Sequence, residues 1–278
     1  MPEKEQPSSR LLSWEKEKAI IEGVSSCTLF RDGEYWMYYT GKGIELAKSG
    51  DGLNFTYVGK MVDVKDLEGK ADMVSNPSIF LAKDGNYRMV FEGSAMAYNK
   101  NDRRLYSAVS PDGLKWKVEE GARFQDEGDG KPGELFTSVP DIIRLGDGRL
   151  RMYYTRGVSS AIAVSEDEGL TWTKEKNLDF GRIAIDPDIV ALEDGTYKLF
   201  FTSFDHIFGE GEQYMMSASS LDGIEFTLDE GKRLRPGKEN GLVVDPDVVS
   251  LPDGKYRMYY GETGDGMNFN ILSAASDN

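Results

Sequence analysis

The sequence predicts an all-β protein: a five-bladed β-propeller of four-stranded antiparallel blades, its ring closed by the N-terminal strand. Three observations lead there. An apolar stretch, an Asp-Gly turn and a second stretch ending in paired aromatic or apolar residues recur five times. A second strand–turn–strand motif follows each of the first four copies. The fifth copy breaks off where its last strand is due, and a matching segment stands at the other end of the chain. Repetition at this spacing is the mark of radially stacked sheets.

The first copy is CTLFRDGEYWMYY (Cys27 to Tyr39), followed by AKSGDGLNF (Ala47 to Phe55). The second is SIFLAKDGNYRMVF (Ser78 to Phe91) with AVSPDGLKW (Ala108 to Trp116), and the third is DIIRLGDGRLRMYY (Asp141 to Tyr154) with AVSEDEGLTW (Ala163 to Trp172). The fourth is DIVALEDGTYKLFF (Asp188 to Phe201) with ASSLDGIEF (Ala218 to Phe226). Each pair is two hairpins rich in β-branched and aromatic residues, with Gly where the turn needs positive φ. The fifth, DVVSLPDGKYRMYY (Asp247 to Tyr260), leads only to SAASDN at the chain's end. Ser13-Trp14-Glu15-Lys16-Glu17-Lys18 reads like Thr171-Trp172-Thr173-Lys174-Glu175-Lys176, so the N-terminus is expected to supply the missing strand. One domain, 1–278, then accounts for the chain, with blades near 20–60, 72–120, 137–176, 184–230 and 243–278 plus residues 11–18.

Composition narrows the function classes. The net charge of −15 argues against nucleic acid or an anionic membrane as partner and suits a neutral or cationic ligand. A single cysteine, Cys27, excludes a disulfide framework within the chain. No apolar run reaches membrane-span length, and Met1-Pro2-Glu3-Lys4 does not open a signal peptide. The expected location is cytoplasmic, or secreted if a signal once preceded these residues.

In A-B-C-D blades the Asp-Gly turns crowd one face, and the B–C loops and the openings of the A strands share the other. The loops vary in length and carry Glu92, Arg103, Arg104, Arg156, Asp205, His206, Glu210, Glu262 and Asp265. Variable loops on a rigid repeat are where function concentrates. Aligned on the Asp-Gly turns, the strand-A openings form one column of Val24, Asn76, Val139, Asp186 and Asp245, and a second of Ser26, Ser78, Asp141, Asp188 and Asp247. Period-2 alternation places both columns on one side of each strand, so up to five carboxylates converge on the channel mouth. Such a cluster must protonate, pair with arginine or hold a cation, Ca²⁺ being the hard cation oxygen ligands suit. The structural alternative is that each Asp caps the turn into strand A. His206 is the only histidine, and with no clustered Cys a zinc site is not expected. Tyr98, Phe204 and Phe208 are the loop aromatics suited to stacking on a sugar.

The openings Ile185-Asp186-Pro187-Asp188 and Val244-Asp245-Pro246-Asp247, each followed by an Asp-Gly-x-Tyr hairpin, resemble the five-bladed propeller glycosidases: arabinanases, β-xylosidases, arabinofuranosidases and, more distantly, fructan hydrolases. The likeness spans the chain as architecture and only short motifs as sequence. It implies one Asp as base or nucleophile, a second Asp in the next blade that orients it and tunes its pKa, and a Glu acid in a third. The pattern expects this trio in blades one to three, where the matching positions are Val24, Asn76 and Ser138. Rotating the register round the ring makes Asp186 and Asp245 the two aspartates. Glu22, in Ile21-Glu22-Gly23-Val24, then becomes the acid, with Glu92 and Glu262 as rivals. Asp141, Asp188, Asp247, Glu92, Arg156, His206 and Glu262 are the expected substrate contacts. Ser165 to Trp172 also resembles the Asp-box of sialidases, a structural turn, and a sialidase would need a cluster such as Arg103, Arg104 and Arg156.

The function expected is cleavage of a glycosidic bond in a small neutral saccharide, by hydrolysis or phosphorolysis, with no cofactor beyond Ca²⁺ in the channel. The alternatives are a carbohydrate-binding propeller without catalysis and a scaffold that holds a cation or a basic peptide.

Overall fold

A computed structural model describes residues 11–95, 102–126, 137–205, 212–238, 241–264 and 268–276. The first strand, β1 (Trp14–Glu22), belongs to the last sheet. Blade one comprises β2 (Val24–Arg31), β3 (Glu34–Thr40), β4 (Ile44–Ser49) and β5 (Thr56–Val62), and blade two β6 (Met73–Leu81), β7 (Tyr87–Ala95), β8 (Asp102–Ser110) and β9 (Lys117–Val118). Blade three comprises β10 (Thr137–Arg144), β11 (Leu150–Arg156), β12 (Ser159–Ser165) and β13 (Thr173–Leu178). Blade four comprises β14 (Ile185–Ala191), β15 (Tyr197–Phe204), β16 (Gln213–Ser220) and β17 (Phe226–Leu228). Blade five runs β18 (Leu242–Ser250), β19 (Tyr256–Thr263), β20 (Asn270–Ser276) and then β1, antiparallel throughout. The propeller and its N-terminal closure are as the sequence predicts. Among the described residues no helix is long and apolar enough to cross a membrane.

The paired residues that close each hairpin explain how the blades stack. Neighbours on a strand point to opposite faces of the sheet. Tyr38 therefore packs into the seam with blade two, and Tyr39 into the seam with blade five. Tyr153 and Tyr154 divide between the seams with blades four and two, and Tyr259 and Tyr260 between those with blades one and four. All six tyrosines are buried. Every B strand is thus covered on both faces, and five apolar clusters fill the five seams instead of one central core.

The Asp-Gly turns between C and D strands bind the opposite face together. In the Asp-box turn the Ser165 hydroxyl accepts from the Gly169 N–H at 2.9 Å, the Asp167 carboxylate accepts from the Thr171 N–H at 2.9 Å, and the Trp172 indole donates to the Gly169 carbonyl at 3.1 Å. Ser49, Ser110 and Ser220 repeat the first of these bonds. Tyr38, Tyr153 and Tyr259 each donate across a seam to the turn carbonyl of the next blade, at Gly113, Gly223 and Gly52. Gly223, at φ +70°, leaves room for this contact: a Cβ there would lie 2.8 Å from the Tyr153 hydroxyl.

Candidate active site at the propeller mouth

Each A strand opens with the same backbone device. Pairing slips by one residue between Val24 and Cys27, Ser75 and Ser78, Ser138 and Asp141, Ile185 and Asp188, and Val244 and Asp247. The bulged residue is left-handed in all five blades: Ser25 (φ 52°), Asn76 (54°), Val139 (42°), Asp186 (53°) and Asp245 (50°). Asp and Asn adopt this region more readily than other side chains, and a bulge re-aims what it carries. Two expectations change. The bulge breaks period-2 alternation, so the two columns serve different levels of the ring. Blade one contributes Ser25 and Cys27 in place of Val24 and Ser26, because Arg31 pairs with Glu34 across a two-residue turn and shortens that hairpin by one position.

The deeper column, Cys27, Ser78, Asp141, Asp188 and Asp247, forms a belt between A strands. Asp141 accepts from the Ile189 N–H at 2.8 Å, Asp188 from Val248 at 3.2 Å, and Asp247 from Thr28 at 3.3 Å with the Thr28 hydroxyl at 2.7 Å. The Cys27 sulfur accepts from the Ile79 N–H at 3.3 Å, and Ser78 donates to Asp141 at 3.5 Å. Innermost strands have an edge with no neighbouring strand, and these side chains satisfy its N–H groups from the preceding blade. Burial pushes the carboxyls of Asp188 and Asp247 up and that of Asp141 to about 6, with the Asp247 charge adding to the last. They surround a cavity of about 30 Å³, room for little more than water. Asp141, Asp188 and Asp247 therefore hold the ring together where the sequence suggested substrate contact. Their oxygens face backbone donors, and among the described residues no group of three or more His, Cys, Asp or Glu is placed to hold a metal ion.

Asp186 and Asp245 reach the mouth itself, an open pocket of about 340 Å³ on the loop face. Val24, Val139, Ile185, Val244 and Phe269 supply apolar wall, and Ser25, Asn76, Arg103 and Thr155 polar groups. The two carboxyl groups interact directly with one another. Burial raises both; the Asp245 charge raises Asp186 further, while the Ser25 hydroxyl, donating at 2.6 Å, restrains Asp245 at about 6. Burial and the neighbouring charge thus favour protonation of Asp186 over Asp245.

The other expected residues divide. Glu92 has no exposed surface and accepts from Ser94, Ser138, Asn76 (2.8 Å) and Arg103 (3.1 Å). It fixes three rim donors and does not meet the mouth itself. Arg156 is buried against Asp126 at 3.1 Å, and Arg104 pairs with Asp102 at 2.7 Å, so Arg103, Arg104 and Arg156 serve three separate carboxylates and form no cluster. Glu262 is held by Lys16 (2.7 Å) and the Gly237 N–H (2.6 Å), away from the mouth. Glu22 is exposed and lines a neighbouring trough that meets the mouth at Val24, Thr40 and Phe269. His206, Tyr98 and Phe208 lie outside the described residues. Arg103, Asn76 and Ser25 are the mouth residues that sequence reasoning did not single out as a set. Ser25 and Asn76 are distinguished by their place at the bulges and Arg103 by its bond to Glu92.

No family model and no curated protein matches the chain. Solved structures do. A thermostable family-43 glycoside hydrolase is 14% identical over 92% of this chain and 90% of its own, with a TM-score of 0.71. The α-L-arabinanase of Cellvibrio cellulosa in complex with arabinohexaose is 14% identical over 92% of both chains, at 0.69. The endo-1,5-α-L-arabinanase of Thermotoga petrophila is 15% identical over 97% of this chain and 73% of its own, at 0.72. What this chain shares with them is the five-bladed ring.

Proposed function

We propose that the chain is a glycoside hydrolase-like protein that binds a small neutral saccharide at the propeller mouth and cleaves its glycosidic bond. The observation that carries the proposal is the Asp186–Asp245 pair, two interacting carboxyl groups that line an open, largely apolar pocket. Pockets of this kind, with few convergent polar groups and displaced pKa values, are where chemistry is expected. The shared ring with glycoside hydrolases supports the same class of substrate.

Glycosidases flank the scissile bond with carboxyl groups about 5–10 Å apart. Asp186 and Asp245 are too close to stand on opposite sides, so they act as one unit. Asp245, held at about 6, takes the proton or attacks, and Asp186 beside it tunes its pKa. The second carboxyl then comes from outside the mouth, and Glu22 in the adjoining trough is assigned as the acid that protonates the leaving group.

Aryl glycosides of arabinofuranose and xylose, in dinitrophenyl and phenyl forms, test each role. Asp245→Asn should lower kcat by about 10²–10⁴ on both forms. Glu22→Gln should slow only the phenyl form, because dinitrophenolate departs without a proton. For wild type, kcat/KM should rise with pH through about 6 as Asp245 ionises. Equal loss on both leaving groups removes Glu22 from the acid role, and full activity in Asp245→Asn overturns the reading. A binding propeller without catalysis is the second reading, favoured because Asp186 and Asp245 are the only carboxylates lining the mouth among the described residues. It prevails if no glycoside is cleaved while free sugars still raise the melting temperature.

A further inference from the structure

The mouth, at about 340 Å³, lies near the lower end of small-molecule sites, which run to about 300–1,000 Å³. It does not end at its own rim. Where blades five and one meet, it opens into a trough of about 560 Å³ that shares Val24, Thr40 and Phe269 with it. Glu22, Lys42, Glu45, Tyr57 and Asn268 line the remainder. Tyr57 stands on β5 with 53% of its surface exposed, in a structure whose paired B-strand tyrosines are buried in the seams. An aromatic face left open in a cavity wall offers apolar area with one polar end. Glu45 is already set in position: its carboxylate accepts from the Tyr39 hydroxyl at 3.1 Å and the Lys42 N–H at 3.2 Å. The loop closes this tightly because residue 41 is glycine, where a Cβ would lie 2.6 Å from that carboxylate.

We infer that this seam trough is a second binding segment for the leaving-group side of a neutral oligosaccharide, with Tyr57 stacking on a sugar ring and Glu45, Lys42 and Asn268 meeting its hydroxyls. The inference rests on the reading of the mouth as a saccharide site and extends it from a single sugar to a chain. The chemistry selects the ligand. An aromatic face beside carboxylate, ammonium and amide groups matches a polyhydroxylated, uncharged chain, and the two carboxylates, on a protein of net charge −15, disfavour acidic sugars. The direction follows from Glu22, which stands in the trough beside its junction with the mouth. A sugar held there is the one that departs.

Calorimetric titration with arabino- and xylo-oligosaccharides of one to six units tests this without requiring turnover. Wild-type affinity should rise with chain length beyond the unit that fills the mouth. Tyr57→Ala should lower the ratio of hexasaccharide to monosaccharide affinity about tenfold, the scale of one aromatic contact. Lys42→Ala should lower the same ratio, and both side chains are on the surface, so folding is not at issue. If wild type binds sugars but both variants keep the wild-type ratio, the trough is not a binding segment and the mouth reading survives. If wild type binds no sugar of any length, the mouth reading fails and takes this inference with it.

Discussion

Five aspartates were expected at one channel mouth, and the structure gives them two physical tasks. Asp186 and Asp245 face a pocket, whereas Asp141, Asp188 and Asp247 face backbone N–H groups of the next A strand. The belt aspartates nevertheless carry an electrostatic cost. Burial raises the Asp188 carboxyl, and the charges of Asp141 and Asp247 raise it further. A carboxyl whose pKa is higher folded than unfolded binds more protons in the folded state. Its contribution is fully present below the unfolded value of about 4 and is lost as pH rises through the folded one. Asp188→Asn removes the charge and keeps an oxygen for the Val248 N–H. The variant should melt above wild type by on the order of 3 °C at pH 8, where ~1 kcal/mol is worth about 2–4 °C in a chain of this size. At pH 5 the gain should shrink. Calorimetry at the two pH values decides it, and an equal shift at both would mean that charge is not the cause.

The strand-A bulge is the element that sorts these side chains, and it was only partly legible in the sequence. The Asp-Pro-Asp openings mark the blades whose carboxyl groups line the mouth, because Asp is tolerated in left-handed backbone and Pro fits where the ladder is interrupted. The extra residue of the bulge leaves no such mark: alternation counted along Val244 to Asp247 looks regular until a partner strand reveals the slip. Blade one was misaligned for a related reason, since the Asp-Gly landmark does not reveal that its turn is shorter. The paired aromatics were fully legible, being a consequence of period 2 in strands buried on both faces. Strand B contains no bulge to disturb the count. Blade three departs from the others at this element. Val139 occupies the left-handed position at φ 42°, where a β-branched residue pays more than Asn or Asp. Val139→Asn should relieve that strain and raise stability by about 1 kcal/mol in urea unfolding, part of the gain being offset by lost apolar contact at a half-buried site. Unchanged or lower stability would show that the other four residues hold the conformation for the sake of their side chains and not of the backbone.

At the scale of the ring, stability depends on every seam being closed, because each blade is covered only by its two neighbours. The seam between blades four and five is fastened from the N-terminal side. Leu11 is fully buried there among Phe200, Met215, Leu234 and Tyr260, and Trp14 meets the Phe200 ring edge-on at 5.5 Å. Trp14 also donates to the Leu11 carbonyl at 3.0 Å, and Arg233 donates to the Leu12 carbonyl at 2.8 Å. Along β1, Glu17 grips Arg257 of β19 through two bonds of 3.0 and 3.1 Å, as Glu175 grips Arg151 and Glu119 grips Arg88 within their own blades. A strand from the start of the chain thereby completes the last sheet with the same side-chain pair that blades two and three use, and residues at opposite ends of the sequence form one unit. Opening that unit uncovers one face of blade four and one of blade five together, and each exposed face weakens the next seam. Leu11→Ala should therefore cost about 3 kcal/mol, the range for emptying a fully buried leucine site, and should do so without splitting the transition. Tryptophan fluorescence and far-ultraviolet dichroism report on different parts of the ring, since the four tryptophans lie in blades one, two and three and in β1. Both signals should shift to lower denaturant by the same amount. If the fluorescence of Trp14 is lost first and the dichroism later, the N-terminal strand is a latch on an already stable ring and not the member that completes it.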